Sequence, residues 1–577
     1  SSTGLPVLEV LPDLHEALKS GTAAVLVAPP GAGKTTLVAP SLLDAPWLEG
    51  RKILLMLPRR LAARAAAERI AGLLGEEPGG RVGYATRLER KPGSRIECLT
   101  EGLFVNRLIG DPGLEGVGAL LFDEVHERNL EGDLGLALAL DARALREDLR
   151  VVAMSATLDG ARFSALMDGA PVIESAGRAF PVELRHLGRG RADARIEERM
   201  AGAIGQALAA GEGSVLAFLP GVAEIERTAE RVVLPAGVSL HRLHGTADPA
   251  AQRMALAPGG RKLVLATSIA ETSLTIDGVR TVVDSGLARR PRFDRASGLT
   301  RLVTERVSQA AAARRAGRAG RQAPGVALRL WEEGETRGFV PFDPPEMLEA
   351  DLAPLLLRLA AWGAMPEQLR WLDPPPAGAV AAARADLNAI GALDGDGRLT
   401  AHGRLLARFG LAPRLAHMLL TGAERGQAAD AGRLAALLEE RGVGGASSDI
   451  EERLRRFGSD GSVRAAAARR LAERWAAEAG RLQPAGSGPG LQVGLLLAEA
   501  FPERVARRRK LPGSADATVD YLMANGRGVS LEAADPLVKA EWLAVADAGG
   551  AGASARVRLA AAIPHGALDV WLKGRTE

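Results

Sequence analysis

The feature that most narrows what this chain can fold into is the stretch Ala28-Pro29-Pro30-Gly31-Ala32-Gly33-Lys34-Thr35-Thr36. It follows a run of small and branched apolar residues, Ala23–Val27, and precedes an apolar, helix-like stretch at 37–43. A strand, a glycine-bearing turn and a helix in that order make a phosphate-binding loop. Backbone N–H groups wrap the anion at a helix N-terminus, where the dipole adds to the attraction. Pro30, Gly31, Ala32, Gly33, Lys34, Thr35 and Thr36 form the cradle. Lys34 is placed for β- and γ-phosphates, and the Thr35 hydroxyl for Mg²⁺. A glycine-rich turn with an accidental lysine is the bland alternative, and the strand–loop–helix context argues against it.

The surrounding sequence supplies further short apolar runs at 53–57, 119–122 and 151–153, and a second set at 215–219, 263–266, 281–283 and 326–330. Each ends in a polar or glycine-containing turn and alternates with helical spacing. That is the signature of α/β units built on parallel sheets. The linker between the sets is read at 177–181. After Phe342-Asp343-Pro344-Pro345 the character changes to Leu, Ala and Arg at helical spacing, with a loop at 486–490. From about residue 501 strand-like runs return at 519–523, 542–546 and 557–559, consistent with a small β-barrel. At 577 residues the chain exceeds one core, and about four or five domains are expected.

A second chemical element is Leu120-Leu121-Phe122-Asp123-Glu124-Val125-His126-Glu127-Arg128. An apolar strand here delivers adjacent carboxylates. Asp123 suits Mg²⁺, directly or through water, and Glu124 suits a general base that orients an attacking water. The alternative is an acidic strand end capping the next helix, which is far less natural beside the phosphate loop.

Together these stretches resemble motifs I and II of superfamily 2 helicases, with Asp-Glu-Val-His standing where the DEAH box has Asp-Glu-Ala-His. Pro58-Arg59-Arg60 resembles motif Ia, Thr100-Glu101-Gly102 motif Ib, and Ser155-Ala156-Thr157 motif III. Phe218-Leu219-Pro220-Gly221 resembles motif IV. Residues 266–278, including Thr267, Glu271, Ser273, Thr275 and Asp277, resemble motif V of the DEAH/RHA group, and Arg315-Ala316-Gly317-Arg318-Ala319-Gly320-Arg321 motif VI. Within that group the sequence is most similar to the bacterial HrpB type, through Glu101, Trp371-Leu372-Asp373-Pro374-Pro375-Pro376 and Ala524-Asn525-Gly526-Arg527-Gly528.

The resemblance implies two tandem RecA-like domains (1–178 and 179–345) followed by a winged-helix domain (346–404), a helical ratchet domain (405–500) and an OB-like β domain (501–577). It implies catalytic roles for Lys34, Glu124, Arg318 and Arg321, the last two as arginine fingers from the second domain. Arg69, Ser273, Thr275 and Asp277 would contact the nucleotide, Asp277 at the ribose, and Ser155 and Thr157 would couple hydrolysis to domain movement. Arg59, Arg60, Thr100, Gly221 and Thr267 match positions that grip the phosphate backbone, a grip without sequence information. Residues 287–307, carrying Arg289, Arg290, Arg292, Arg295, Arg301 and Arg306, match the strand-separating β-hairpin; a solvated basic hairpin is the alternative. The implied activity is ATP-dependent, or more broadly nucleoside-triphosphate-dependent, translocation with Mg²⁺ on single-stranded nucleic acid, RNA ahead of DNA, from 3′ to 5′, with duplex unwinding. A DNA-directed helicase of the same architecture stays open, as does a slow nucleotide-gated clamp or remodelling subunit.

Three departures bear on these roles. Ala28 replaces a loop glycine. Ala255 follows Gln252-Arg253-Met254 where many DEAH helicases place an adenine-stacking Phe, which leaves Arg69 to stack on the base and predicts loose nucleotide choice. Arg314 stands where motif VI begins with Gln. As a donor-only side chain it cannot accept a proton. It either adds a third cation beside the fingers, which favours the clamp, or points away along its helix.

Composition bounds the rest. Hydrophobic residues are 47% and charged residues 25%, and no apolar run approaches the roughly 18 residues of a membrane span. The net charge of +3 leaves any basic surface local, and aromatics at 3% argue against extended base-stacking platforms. Cys98 is the single cysteine, so no intrachain disulfide forms, which fits a cytoplasmic protein. Residues 1–20 carry Glu9, Asp13 and Glu16 without a basic leader, so no signal peptide is expected. HrpB-type chains continue into a further C-terminal region, whereas this sequence stops at Glu577.

Overall fold

The computed structural model describes residues 5–573, apart from 157–158, 177–179, 192, 212, 246, 272–275, 295–298, 441, 487–489, 510–517 and 550–554. Thr157, Ser273, Thr275, Arg295, most of the 177–181 linker and the centre of the 486–490 loop therefore lie outside the described residues. The chain divides into two compact units, one of residues 1–290, 303–349 and 369–374, the other of 291–302, 350–368 and 375–577.

The first unit holds two α/β lobes. In lobe one, β1 (Ala23–Val27), β2 (Lys52–Leu57), β3 (Val82–Ala85), β4 (Arg90–Lys91), β5 (Ile96–Thr100), β6 (Val117–Phe122), β7 (Arg150–Ser155) and β8 (Val172–Glu174) form one sheet. Its order is β4-β3-β5-β2-β6-β7-β1-β8. The pairings are parallel except β3–β4. β1 and β6 are buried along their whole length, as strands covered by helices on both faces must be. Ala24, Leu26, Ile53, Leu55, Leu121, Val152 and Met154 meet the helices Val7–Ser20, Lys34–Ser41 and Arg60–Leu73 in one core.

Lobe two contains β9 (Val182–His186), β10 (Ser214–Phe218), β11 (Val238–Leu243), β12 (Arg261–Ala266), β13 (Val279–Asp284) and β16 (Gly325–Arg329), a parallel sheet in the order β11-β12-β10-β13-β16-β9. Between its last two sequential strands comes a two-stranded hairpin, β14 (Leu287–Asp294) and β15 (Leu299–Arg306). Its sheet carries a core on each face: Val215, Ala217, Leu263 and Leu265 on one, Leu216, Phe218, Val264 and Ala266 on the other. That alternation is the period-two signature of a strand buried on both sides.

The second unit is helical and then β. Thr400 caps the helix Ala401–Ala407 by accepting from the Gly403 N–H at 2.9 Å. Helices Pro413–Glu424, Ala428–Glu439, Ile450–Ser459, Val463–Leu482 and Val493–Ala500 follow. The chain then closes a barrel from β17 (Val505–Arg508), β18 (Thr518–Met523), β19 (Gly528–Glu532), β20 (Trp542–Gly549) and β21 (Ala555–Ile563) in the order β17-β18-β19-β21-β20. Among the described residues no helix is long and apolar enough to cross a membrane.

Candidate active site

The C-terminal ends of β1, β6 and β7 deliver the first half of the site. β1 and β7 run in register, Val27 opposite Ser155, and the Ala28 N–H donates to the Ser155 carbonyl at 3.0 Å. The chain then turns through Gly31 and Gly33, at φ +88° and +94°, the left-handed region that glycine enters without strain. Gly33 sits at the N-cap of the helix Lys34–Ser41, so the loop ends on a helix N-terminus. Ala28 replaces the loop's first glycine at no conformational cost visible here, since it is not among the left-handed positions.

Lys34, buried, places Nζ 3.0 Å from Glu124 Oε2 and 4.0 Å from Asp123 Oδ1. Thr35 Oγ1 donates to Asp123 Oδ2 at 2.5 Å. Burial alone would lower the pKa of Lys34, but Glu124 and Asp123 hold it above the usual lysine value. Burial and the neighbouring Glu124 push Asp123 up. Burial also works against the Glu124 charge, yet Lys34 and then His126 hold its carboxyl below the usual range. Two buried acidic side chains and the Thr35 hydroxyl gather oxygen donors around one lysine. That donor set fits a divalent cation of the Mg²⁺ type, bound through oxygen. Glu124 itself sits at φ +55°, a strained setting for a non-glycine residue that turns its carboxylate back over the loop.

His126 completes this half. Its Nδ1 accepts the Ala156 N–H at 3.1 Å and lies 3.6 Å from Glu124 Oε2. Burial holds its pKa down at about 4, so the ring is neutral with its proton on Nε2. His126 thereby ties the end of β7 to the Glu124 turn, a role the sequence reading did not give it.

Lobe two supplies cations. Arg318 and Arg321 follow the helix Gln309–Gly317, and both act electrostatically on Glu124 or Lys34 across the cleft. Burial and the neighbouring Arg321 lower the pKa of Arg318 despite Glu124 and Glu271, and burial holds Arg321 at about 10. Arg318 Nε donates to the Glu271 carbonyl at 3.1 Å. Arg315, fully buried, binds the Glu271 carboxylate at 2.6 Å and Asp284 at 2.8 Å. It therefore braces the helix Gln309–Gly317, termed the finger helix for the role expected of the arginines that follow it. Asp277 accepts from Gln322 Nε2 at 2.7 Å, and Gln322 Oε1 accepts the Gly278 N–H at 2.8 Å, which fixes the carboxylate beside the finger segment.

The remaining expected residues are more scattered. Arg59 donates to Glu127 at 3.3 Å and to the Ser268 carbonyl at 3.2 Å, linking the two lobes. Arg60 is exposed at the start of its helix; Thr100 and Thr267 sit at the N-caps of the helices that follow β5 and β12. Gly221 opens the helix Val222–Ala229, and a Cβ there would lie 2.3 Å from Arg289 Nη1, so a side chain at this position would displace the Arg289 guanidinium. Ser155 is fully buried at the end of β7. Arg69 is exposed on Arg60–Leu73, while Ala255 is buried in the lobe-two core. Glu271, Gln322 and Asp343 were missed as site residues: Glu271 and Asp343 lay in quoted stretches but were assigned no contact, and Gln322 carries no motif signal.

Comparison with known proteins agrees with this geometry. The DEAD/DEAH box helicase family matches residues 10–164, and the helicase conserved C-terminal domain matches 200–323. The chain is 44% identical over 550 residues to the ATP-dependent RNA helicase HrpB of Escherichia coli, covering 94% of this chain and 66% of that protein. It is 34% identical over 440 residues to the pre-mRNA-splicing factor ATP-dependent RNA helicase prp22 of Schizosaccharomyces pombe, covering 73% of this chain and 38% of that one. The crystal structure of the E. coli DEAH/RHA helicase HrpB superimposes with a TM-score of 0.87 at 40% identity, covering 97% of this chain and 71% of that structure. A second E. coli HrpB structure, described as a DExH-box NTPase, gives 0.85 at 41% identity, covering 99% and 69%. With the phosphate loop, paired carboxylates and opposing arginines in place, this chain belongs to the DEAH/RHA helicases, of the HrpB type.

Proposed function

We propose that this chain is an ATP-dependent RNA helicase that hydrolyses ATP between its two α/β lobes to move 3′ to 5′ along a single strand. The observation that carries the proposal is the arrangement of Lys34 on Glu124 at 3.0 Å and Thr35 on Asp123 at 2.5 Å, with Arg318 and Arg321 acting on the same carboxylate–lysine group from the other lobe. Residues 30–36 cradle the phosphates. Thr35 and Asp123 would hold Mg²⁺, which supplies charge neutralisation on the phosphate oxygens. A triphosphate draws Lys34 Nζ to its own oxygens, and Glu124 is then free to orient and deprotonate the attacking water. Arg318 and Arg321 stabilise charge on the transferred group. Asp277 and Arg69 take the ribose and base; with Ala255 buried, no aromatic from that position adds to base selection. Arg59, Arg60, Thr100, Gly221 and Thr267 are assigned to the phosphate backbone of the strand. The domain divisions at 178/179, 345/346, 404/405 and 500/501, with winged-helix, ratchet and OB-like parts, are proposed on the same basis.

RNA is favoured over DNA by the relatives, whose names specify RNA. Steady-state ATP hydrolysis with saturating single-stranded RNA or DNA of one sequence tests this. The expected result is clear stimulation by RNA and weaker stimulation by DNA; equal or reversed stimulation would reject the RNA assignment.

A further inference from the structure

The segment 339–346, which contains the boundary read from sequence at 342–345, makes contacts in three directions. Its first residues cap the finger helix: the Gln309 and Ala310 N–H groups donate to the Val340 and Pro341 carbonyls at 2.9 and 3.1 Å. Its last residue grips lobe one just past the Glu124 turn. The Glu346 N–H donates to the Arg128 carbonyl at 3.0 Å, and its carboxylate accepts the Leu130 N–H at 2.8 Å. Between these, Asp343 divides its carboxylate between two arginines. Oδ1 accepts from Arg290 at the base of the hairpin, and Oδ2 accepts from Arg314 of the finger helix at 3.0 Å. Arg290 also meets Glu305 at 3.3 Å, and Arg314 approaches Glu271 at 3.8 Å.

We propose that Asp343 is a positioning residue that locks the finger helix to the hairpin base, by placing one carboxylate between Arg290 and Arg314. Two guanidinium groups brought to one point repel unless an anion separates them, and at this partly buried site solvent screens that repulsion poorly. Arg314 is therefore neither a third finger nor an idle surface charge. It is one end of an ion-pair link whose other end is a strand of the hairpin. Because the same segment holds the backbone at Arg128 and Leu130, a shift of lobe one after hydrolysis is transmitted to hairpin and finger helix together. This inference rests on the helicase reading.

The test uses the full chain with Asp343→Asn, Arg314→Gln and the double variant. Asp343→Asn leaves two cations without their shared anion, while the double variant restores the charge balance. The expected result is a fall of about tenfold in turnover for Asp343→Asn with KM for ATP nearly unchanged, as a misplaced finger produces. The double variant is expected to recover most of it. Hydrogen exchange gives a readout independent of activity: Asp343→Asn should raise exchange at 287–290 and 309–317 together, and the double variant should reverse both. Wild-type rates with and without RNA judge the helicase reading separately. An Asp343→Asn protein with wild-type turnover and exchange, or a double variant no better than the single, would overturn the link.

Discussion

The two faces of the nucleotide site are built in opposite ways. On lobe one, the reacting groups come from two short stretches at the ends of β1 and β6, and each touches the next: Thr35 to Asp123, Lys34 to Glu124, Glu124 to His126. On lobe two, the arginines come from one helix and the turn that follows it, and acids distant in sequence hold Arg314 and Arg315: Glu271, Asp284 and Asp343. On the proposed reading, a lobe-one motif residue is therefore mostly chemistry. In lobe two, Arg315 is held as a brace by Glu271 and Asp284, while Arg318, three residues on, is the one proposed to act on the transferred group.

The largest effect that would sharpen this contrast is on lobe one. Glu124→Gln should cut turnover by about 10²–10⁴-fold while ATP still binds, since the phosphate cradle is intact. Lys34→Ala should lose both turnover and affinity, because it removes a phosphate contact. Equilibrium nucleotide binding beside steady-state hydrolysis separates the two, and near-wild-type hydrolysis by Glu124→Gln would break the assignment.

On lobe two the expected split is between stability and chemistry. Arg315→Ala removes the main cation from two buried carboxylates, a loss of about 3–5 kcal/mol that thermal melting would register. Arg318→Ala should melt closer to wild type yet hydrolyse ATP far more slowly. If both variants behave alike, bracing and chemistry are not divided as argued.

A smaller effect concerns the nucleotide. Ala255 lies in the lobe-two core beside Phe218 and Leu243, so no aromatic ring from that position stacks on the base. GTP, CTP and UTP should support hydrolysis within about tenfold of ATP, or ~1.4 kcal/mol. Strict dependence on ATP would point to base recognition elsewhere in the cleft.

The same contrast governs how much was legible beforehand. The apolar runs at 23–27, 53–57, 119–122 and 151–153 all became strands, because a strand buried on both faces must read as continuously apolar. Their charged starts were missed: Lys52 pairs with Glu97 at 3.5 Å, and Arg150 stacks over Trp47 at 5.0 Å, so these residues join the sheet with their charges satisfied. β9 went unread because, at the sheet edge, Glu183, Leu184 and Arg185 are exposed and give no apolar run. β17 and β19 were missed because each is a short barrel strand that mixes polar with apolar residues. In the site, contiguous motifs announced Lys34, Asp123 and Glu124. Nothing local marks Asp343 or Gln322, because their partners, Arg290 and Arg314 for one and Asp277 for the other, are brought close only by the fold.

The central claim is that hydrolysis at Glu124 drives movement along one RNA strand. Unwinding of matched RNA duplexes carrying a 3′ or a 5′ single-stranded tail tests it most directly, with wild type and Glu124→Gln compared in ATP and Mg²⁺. The account predicts that wild type separates the 3′-tailed duplex and leaves the 5′-tailed one paired, and that Glu124→Gln separates neither. Unwinding by the Glu124→Gln protein, or none by wild type on either duplex, would contradict it.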